Sequence, residues 1–315
     1  LNTVIINNYY LIINYIAICD ILFFGKNFLS QSIMSDFSQL FNNEDQSILY
    51  KSRPEYSEEI VEEIINFWRS YNKDCSTDRT LNIIDVGCGT GQLTKELIPY
   101  SKSLIGIDSS PSQIREAQSL SVDHDNVKFM VCDCSELPVA DGTVDIITAA
   151  QCVHWFDVKK FYIAVNKALK VGGVLVILTY GKGHFIIDGV EDLPSDLNKF
   201  VTEDIWFDDQ YFGLLSNKRL RWSASCLSGI PFLYRNTGIR NNDLCIQMKI
   251  DLHRYSKYIQ STSMYQRWKR EHPEKKDMAD IIMKKILFYL GRPATGLDTV
   301  LEIKFPLSLI MCTKE

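Results

Sequence analysis

Ile83-Ile84-Asp85-Val86-Gly87-Cys88-Gly89-Thr90-Gly91-Gln92-Leu93-Thr94 decides how the rest of the chain is read. An apolar run closes on an acid, three glycines follow at every second position, and a helix-compatible stretch begins at once. That order predicts a strand, a tight turn and a helix. Glycine opens φ values closed to other residues, and its missing side chain lets a ligand approach the main chain. The spacing is G-x-G-x-G, whereas the dinucleotide fingerprint requires G-x-G-x-x-G.

Downstream, residues 92–100 read as the helix and residues 103–107 as a second strand ending at Asp108. A carboxylate at that tip can accept hydrogen bonds from both hydroxyls of a ribose, or it can cap the helix predicted over residues 109–120. Residues 126–132 form a third strand closed by Asp133, and two acids ending successive strands are a more specific signal than one. Leu137-Pro138 and Asp141-Gly142 mark a turn before a fourth strand at 143–150. Gln151-Cys152-Val153-His154-Trp155-Phe156-Asp157 then stands at the carboxyl edge of the sheet, where open α/β sheets bind ligands. Aromatic faces there would stabilise a cation. His154 reads either as a general base or as an imidazole bonded to backbone. A helix over 158–170 carries Phe161, Ala164, Val165 and Ala168 on one side, and Gly172-Gly173 leads into a fifth, wholly apolar strand at 174–179. Five alternations of strand and helix predict a parallel sheet covered on both faces.

Upstream of the glycines, Val61, Ile64, Ile65 and Trp68 fall at helical spacing behind Ser57. Tyr50, Arg53 and Pro54 precede that helix and read equally as a surface turn or as functional groups. Beyond residue 180 the period is lost, and aromatics such as Trp206, Phe207, Tyr211 and Trp222 mingle with Arg219, Arg221, Arg235 and Arg240. An insertion of this length reads as a cap, and its guanidiniums would suit an organic acid. A strand over 243–251, helices over 255–270 and 278–289, and a closing strand over 300–312 complete the chain.

The chain has 315 residues, a net charge of -5 and a pI near 5.6, which argues against a protein that grips nucleic acid by its overall field. Its nine cysteines include no C-x-x-C pair and read as reduced thiols of a cytoplasmic protein, with no metal site. Residues 1–33 precede the first methionine, Met34, and carry only Asp20 and Lys26 as charges. Their enrichment in Ile, Asn, Tyr and Phe favours a non-native or disordered leader, with a membrane anchor as the alternative.

The pattern Asp85-x-Gly87-x-Gly89-x-Gly91 resembles the first motif of the class I S-adenosylmethionine-dependent methyltransferases, in the type 11 domain group. The segment from Ala150 to Phe156 is similar to the Ala-Gln-x-x-His-Trp-Phe of the trans-aconitate-methyltransferase-like subfamily. Leu169-Lys170-Val171-Gly172-Gly173 resembles a second hallmark, with Val171 where proline is usual. Around Tyr258-Ile259-Gln260-Ser261-Thr262-Ser263 the chain resembles a third, although Ser256-Lys257 departs from its glycine. The resemblance implies a Rossmann-like α/β fold: a doubly wound sheet of seven strands, six parallel and the last antiparallel, with a helical cap after strand five. It implies a core at 34–180, a cap at 181–242 and closing elements at 243–315. It further implies S-adenosyl-L-methionine as cofactor, held by Asp85, Gly87, Cys88, Gly89 and Gly91, with Asp108 on the ribose, Asp133 and the Cys134 amide on the adenine, and Gln151 and His154 at the reacting centre. The acceptor expected is a small molecule, with a carboxylic acid as one candidate class, and the protein a monomer or dimer. A cofactor-binding module without turnover and a nicotinamide-dependent oxidoreductase stand as alternatives.

Overall fold

In the computed structural model, the residues described are 48–73, 80–186, 195–208, 210–212, 230–293 and 296–315. The expectations placed on residues 1–33 and on Arg219, Arg221 and Trp222 lie outside them.

Strand β1 (Leu81–Val86) is buried at every position but Asn82, so its run of apolar residues belongs inside a sheet covered on both faces. It pairs in parallel with β2 (Ser101–Asp108) on one side and β4 (Val144–Ala150) on the other. Strand β3 (Val127–Val131) extends the sheet beyond β2, and β5 (Leu169–Tyr180) beyond β4. The order is therefore β3-β2-β1-β4-β5, and it reverses direction of growth next to β1. That reversal opens a crevice at the carboxyl ends of β1, β2 and β4, where ligands lodge in such sheets.

Strand β9 (Val300–Thr313) lies antiparallel to β5 and is bordered by β6 (His184–Ile186), β7 (Ile239–Asn241) and β8 (Cys245–Asp251). Being antiparallel to β9, β7 and β8 run in the same direction as β1 to β5. With β5 and β6 taken as one interrupted strand, and β7 and β8 as another, the sheet has the seven expected strands, six in one sense and the last reversed.

Helix α1 (Glu58–Tyr71) buries Ile60, Val61, Ile64, Ile65 and Trp68 against one face of the sheet. Each such side chain contributes roughly 1.5–3 kcal/mol when fully removed from water. The glycine turn leads into a single helical turn, α2 (Thr94–Leu97), which Pro99 tightens into a 3-10 turn. Helix α3 (Pro111–Ala117) packs on the face of α1, and α4 (Val158–Ala168) packs Phe161 and Val165 on the opposite face. Of the expected cap, α5 (Ser195–Lys199) and α6 (Ile205–Phe207) are described, and Phe200, Trp206 and Tyr211 there join the core.

The helix expected over 255–270 is two helices, α7 (Leu252–Ser261) and α8 (Ser263–Glu271). Thr262 breaks it with extended backbone at ψ 145, its hydroxyl accepting the Tyr265 amide as an N-cap. Ser261 and Thr262 hydroxyls also donate to the carbonyls of Tyr258 and Ile259, which ends the first helix locally. Helix α9 (Met278–Tyr289) follows as the sequence predicts. No helix among the described residues is long and apolar enough to cross a membrane.

Candidate active site

The glycine turn is shaped by its neighbours. Gly87 takes φ +65, and a Cβ there would sit 2.7 Å from both Cβ and Sγ of Cys152. The Cys88 amide donates to the Ile107 carbonyl, and the Gly91 amide to the Cys88 carbonyl, both at 2.9 Å. The Gly89 amide donates to Asp108 Oδ2 at 3.0 Å, while Asp108 Oδ1 accepts the Ser110 amide at 2.8 Å. Asp108 thus caps the loop leading into α3 and holds the turn, and it still lines the crevice. Burial raises its pKa, while the Ser110 and Gly89 amides oppose that rise.

The crevice is a cavity of about 540 Å³. Its wall carries Asp108, Gln113, Asp133, Cys134, Trp155 and Phe156 together with Tyr50, Arg53, Tyr56 and Tyr180. Asp85, Gly87, Cys88, Gly89 and Gln151 line it as well. Asp85, only 1% exposed, accepts the hydroxyls of Thr94 at 2.6 Å and Thr148 at 2.7 Å. Burial pushes its pKa up to about 6 against the pull of those two hydroxyls. Asp133 accepts the amide and hydroxyl of Ser135 and is exposed at the rim.

Gln151 carries a left-handed φ of 56, the one positive value at a non-glycine among the described residues. Its side-chain amide accepts the Thr179 hydroxyl at 2.9 Å and donates to the Tyr180 carbonyl at 3.0 Å. The side chain therefore staples the end of β4 to the end of β5. Backbone strain of this kind, about 1–3 kcal/mol, is held where a site is over-determined by its surroundings.

Two residues expected at the site stand elsewhere. Gly91 is absent from the cavity wall; it takes φ +89 and a Cβ on it would come within 2.5 Å of Leu120, so its glycine serves packing behind the turn. His154 is 7% exposed and also off the wall, in a 3-10 turn with its ring tilted against Trp155 at 4.9 Å. The turn that presents Trp155 to the cavity carries the preceding imidazole away from it.

Four cysteines line the cavity: Cys88, Cys132, Cys134 and Cys152. Burial raises every one of these thiols, Cys134 to about 12, so they stay protonated at neutral pH. Protonated thiols are poor nucleophiles.

Residues 50–56 close over the glycine turn. The Tyr50 carbonyl accepts from Gln92 Nε2 at 3.1 Å, Lys51 pairs with Glu116 at 2.6 Å, and Glu55 pairs with Lys95 at 3.5 Å. This resolves the choice left open for Tyr50 and Arg53: both reach the cavity. The cap arginine Arg240 instead donates to the Ile230 carbonyl and faces Phe232.

Gln113 gave no sequence signal beyond its place two residues after the helix-starting Pro111. It is 2% exposed, lines the cavity near Gly89, and neither polar atom of its amide has a partner among the described residues. A buried amide left unpaired costs about 1–3 kcal/mol, which a polar ligand in the cavity relieves.

The acid on the second strand and the glycine turn on the first meet at the switch-point crevice, the place where open α/β sheets bind their ligands. Residues 84–177 match the methyltransferase domain family. The chain is 25% identical over 80% of its length to a Saccharomyces cerevisiae protein described as a probable S-adenosylmethionine-dependent methyltransferase, covering 90% of it. It is 35% identical over 42% of its length to a methyltransferase-like protein of Dictyostelium discoideum, of which it spans 46%. A solved structure described as a type II methyltransferase from Anaeromyxobacter dehalogenans superposes with a TM-score of 0.58 at 20% identity, over 83% of this chain and 97% of that one. The chain is an S-adenosylmethionine-dependent methyltransferase.

The domain class implies S-adenosyl-L-methionine as cofactor. The unpaired Gln113 amide, the Asp108 carboxylate and the rim acid Asp133 fit the polar nucleoside end of that molecule.

Proposed function

We propose that the protein transfers a methyl group from S-adenosyl-L-methionine to a small-molecule acceptor, with a carboxylic acid the favoured class and a methyl ester the product. The observation that carries this reading is the make-up of one cavity of about 540 Å³, whose wall combines acids, an amide, tyrosines and Arg53, with no histidine among the described lining residues. Cavities of this size take a ligand of small-molecule dimensions. Bound there, the cofactor supplies a methyl group on a sulfonium whose leaving group is already in place.

Asp108, Gln113 and Asp133 would hold the nucleoside, with the Cys134 amide close to its base. Trp155 and Phe156 offer aromatic faces to the cation. Gln151 holds the ends of β4 and β5 in register, which fixes the floor on which the two reactants align. Alignment and exclusion of water are the main contributions required for an in-line displacement. A carboxylate acceptor is already nucleophilic at neutral pH and needs no general base, in keeping with the place of His154 off the cavity wall.

Incubation with methyl-labelled cofactor and a small-molecule extract tests this reading. Label released as methanol by alkali is expected for an ester. Label retained on nitrogen or carbon would refute the carboxylate class, and no transfer to any small molecule would refute turnover on this class of acceptor.

A further inference from the structure

Gln151 and Tyr180 line the cavity, whereas Thr179, which bonds the one and adjoins the other in sequence, does not. Thr179 is 1% exposed near the end of β5, and its hydroxyl donates to Gln151 Oε1 at 2.9 Å. The same stretch of strand grips Gln151 twice more. The Leu178 carbonyl accepts its main-chain amide at 2.9 Å, and the Tyr180 carbonyl accepts its Nε2 at 3.0 Å. Three consecutive residues of β5 therefore converge on the one described non-glycine with a positive φ.

A left-handed backbone at such a residue persists only where its surroundings over-determine it. Two of the three contacts come from main-chain carbonyls, which the strand fixes whatever the side chains are. The Thr179 hydroxyl is the part that sequence can change. The conformation it supports is passed to the next residue. Cys152 Sγ donates to the Val86 carbonyl at 3.2 Å, and its Cβ and Sγ each stand 2.7 Å from the point a Cβ on Gly87 would occupy. Cys152 thus fills the space left by the missing side chain of Gly87. Packed contacts have little slack, so a rotation at Gln151 reaches the glycine turn as a collision or a gap.

We propose that Thr179 is a positioning residue for methyl transfer: its hydroxyl holds Gln151 in the left-handed conformation, and through Cys152 this keeps the glycine turn in the shape that receives the nucleoside. Thr179 touches no ligand and acts through Gln151. The methyltransferase reading enters in naming the nucleoside used as a probe.

Calorimetric titration with S-adenosylhomocysteine tests this in wild type, Thr179→Val, Thr179→Ser, Gln151→Gly and the double variant Thr179→Val/Gln151→Gly. Valine keeps the shape of threonine and loses the hydroxyl; serine keeps the hydroxyl. Thr179→Val is expected to bind about threefold more weakly, the worth of one neutral hydrogen bond, and Thr179→Ser to bind as wild type does. Gln151→Gly, which lacks the side-chain contacts altogether, loses about threefold or more, and adding Thr179→Val to it costs nothing further. Wild-type affinity in Thr179→Val overturns the proposal, as does a serine variant as weak as the valine one. The same loss from Thr179→Val in both backgrounds also overturns it, because Thr179 then serves packing alone. Amide hydrogen exchange of the ligand-free protein is the second readout. The Gln151 amide should exchange faster in Thr179→Val and at the wild-type rate in Thr179→Ser, and equal rates in all three refute the role of the hydroxyl. Wild type that binds no S-adenosylhomocysteine refutes the methyltransferase reading instead, and the exchange rates then judge Thr179 by themselves.

Discussion

The amide of Gly89 donates to Oδ2 of Asp108 at 3.0 Å, so the carboxylate that faces the cavity also braces the turn beneath it. Loss of Asp108 therefore acts twice. Asp108→Ala should abolish S-adenosylhomocysteine binding in calorimetry and lower unfolding stability by about 1–3 kcal/mol, because the Gly89 and Ser110 amides lose their acceptor. Asp108→Asn keeps an oxygen for one of them. It should recover most of the stability while binding stays at least about tenfold weaker, since the charge-assisted contacts to the ribose are gone. Wild-type affinity in either variant would refute the assignment.

Gln113 predicts opposite signs for stability and binding. Gln113→Leu removes an amide whose two polar atoms are buried and unpaired, so the ligand-free protein should melt at the wild-type temperature or above. Its affinity for S-adenosylhomocysteine should fall about three- to tenfold, the worth of one neutral hydrogen bond. A melting temperature that drops with no change in affinity would show that the amide serves the fold.

Asp85 makes the ligand-free protein sensitive to mild acid in an unusual sense. Its folded pKa of about 6 lies above the usual carboxyl value of 3.8 because burial disfavours the charged form. A raised carboxyl binds its proton more tightly in the folded state, so its stabilising contribution is full below about pH 4 and is lost as pH rises through 6. The difference in unfolding free energy between wild type and Asp85→Asn should therefore move against wild type by about 2 kcal/mol from pH 4 to pH 7. A constant difference across that range, followed by denaturant titration, would show that the carboxyl ionises as it does in the unfolded chain.

Gly87 and Gly142 separate backbone strain from collision. Both have positive φ, +65 and +67, but a Cβ at Gly142 meets nothing within 4 Å, whereas one at Gly87 meets Cys152 at 2.7 Å. Gly142→Ala should cost about 1–2 kcal/mol in denaturant unfolding, the left-handed penalty alone. Gly87→Ala should cost more than that and also distort the cavity, so ligand affinity falls with stability in that variant only.

Strand ends were legible because apolar runs stop where water or a ligand begins, and Asp85, Asp108 and Asp133 mark those stops directly. The turn glycines were legible as a group but not singly. Whether Gly91 faces the ligand or the protein depends on Leu120, which local spacing does not bring near it. His154 and Trp155 are adjacent in sequence, and only the 3-10 turn decides which of them reaches the cavity. The break at Thr262 was hidden because the apolar period runs on through it, while hydroxyls bonding back to Tyr258 and Ile259 end the helix. The pairing of Arg53 with Ser261 spans 208 positions and leaves no mark in either local pattern.

Strand β9 follows every other strand in chain order, yet β5, β6, β7 and β8 all pair with it. During synthesis the β1–β5 half can associate early, with one side of β5 left as a bare row of amides and carbonyls. The three later segments have no partner in the sheet until β9 emerges, so assembly ends with a single late insertion between two waiting edges. A ribosome stalled before Val300 would hold an adhesive intermediate, and the protein's vulnerability to misassembly is concentrated in that interval.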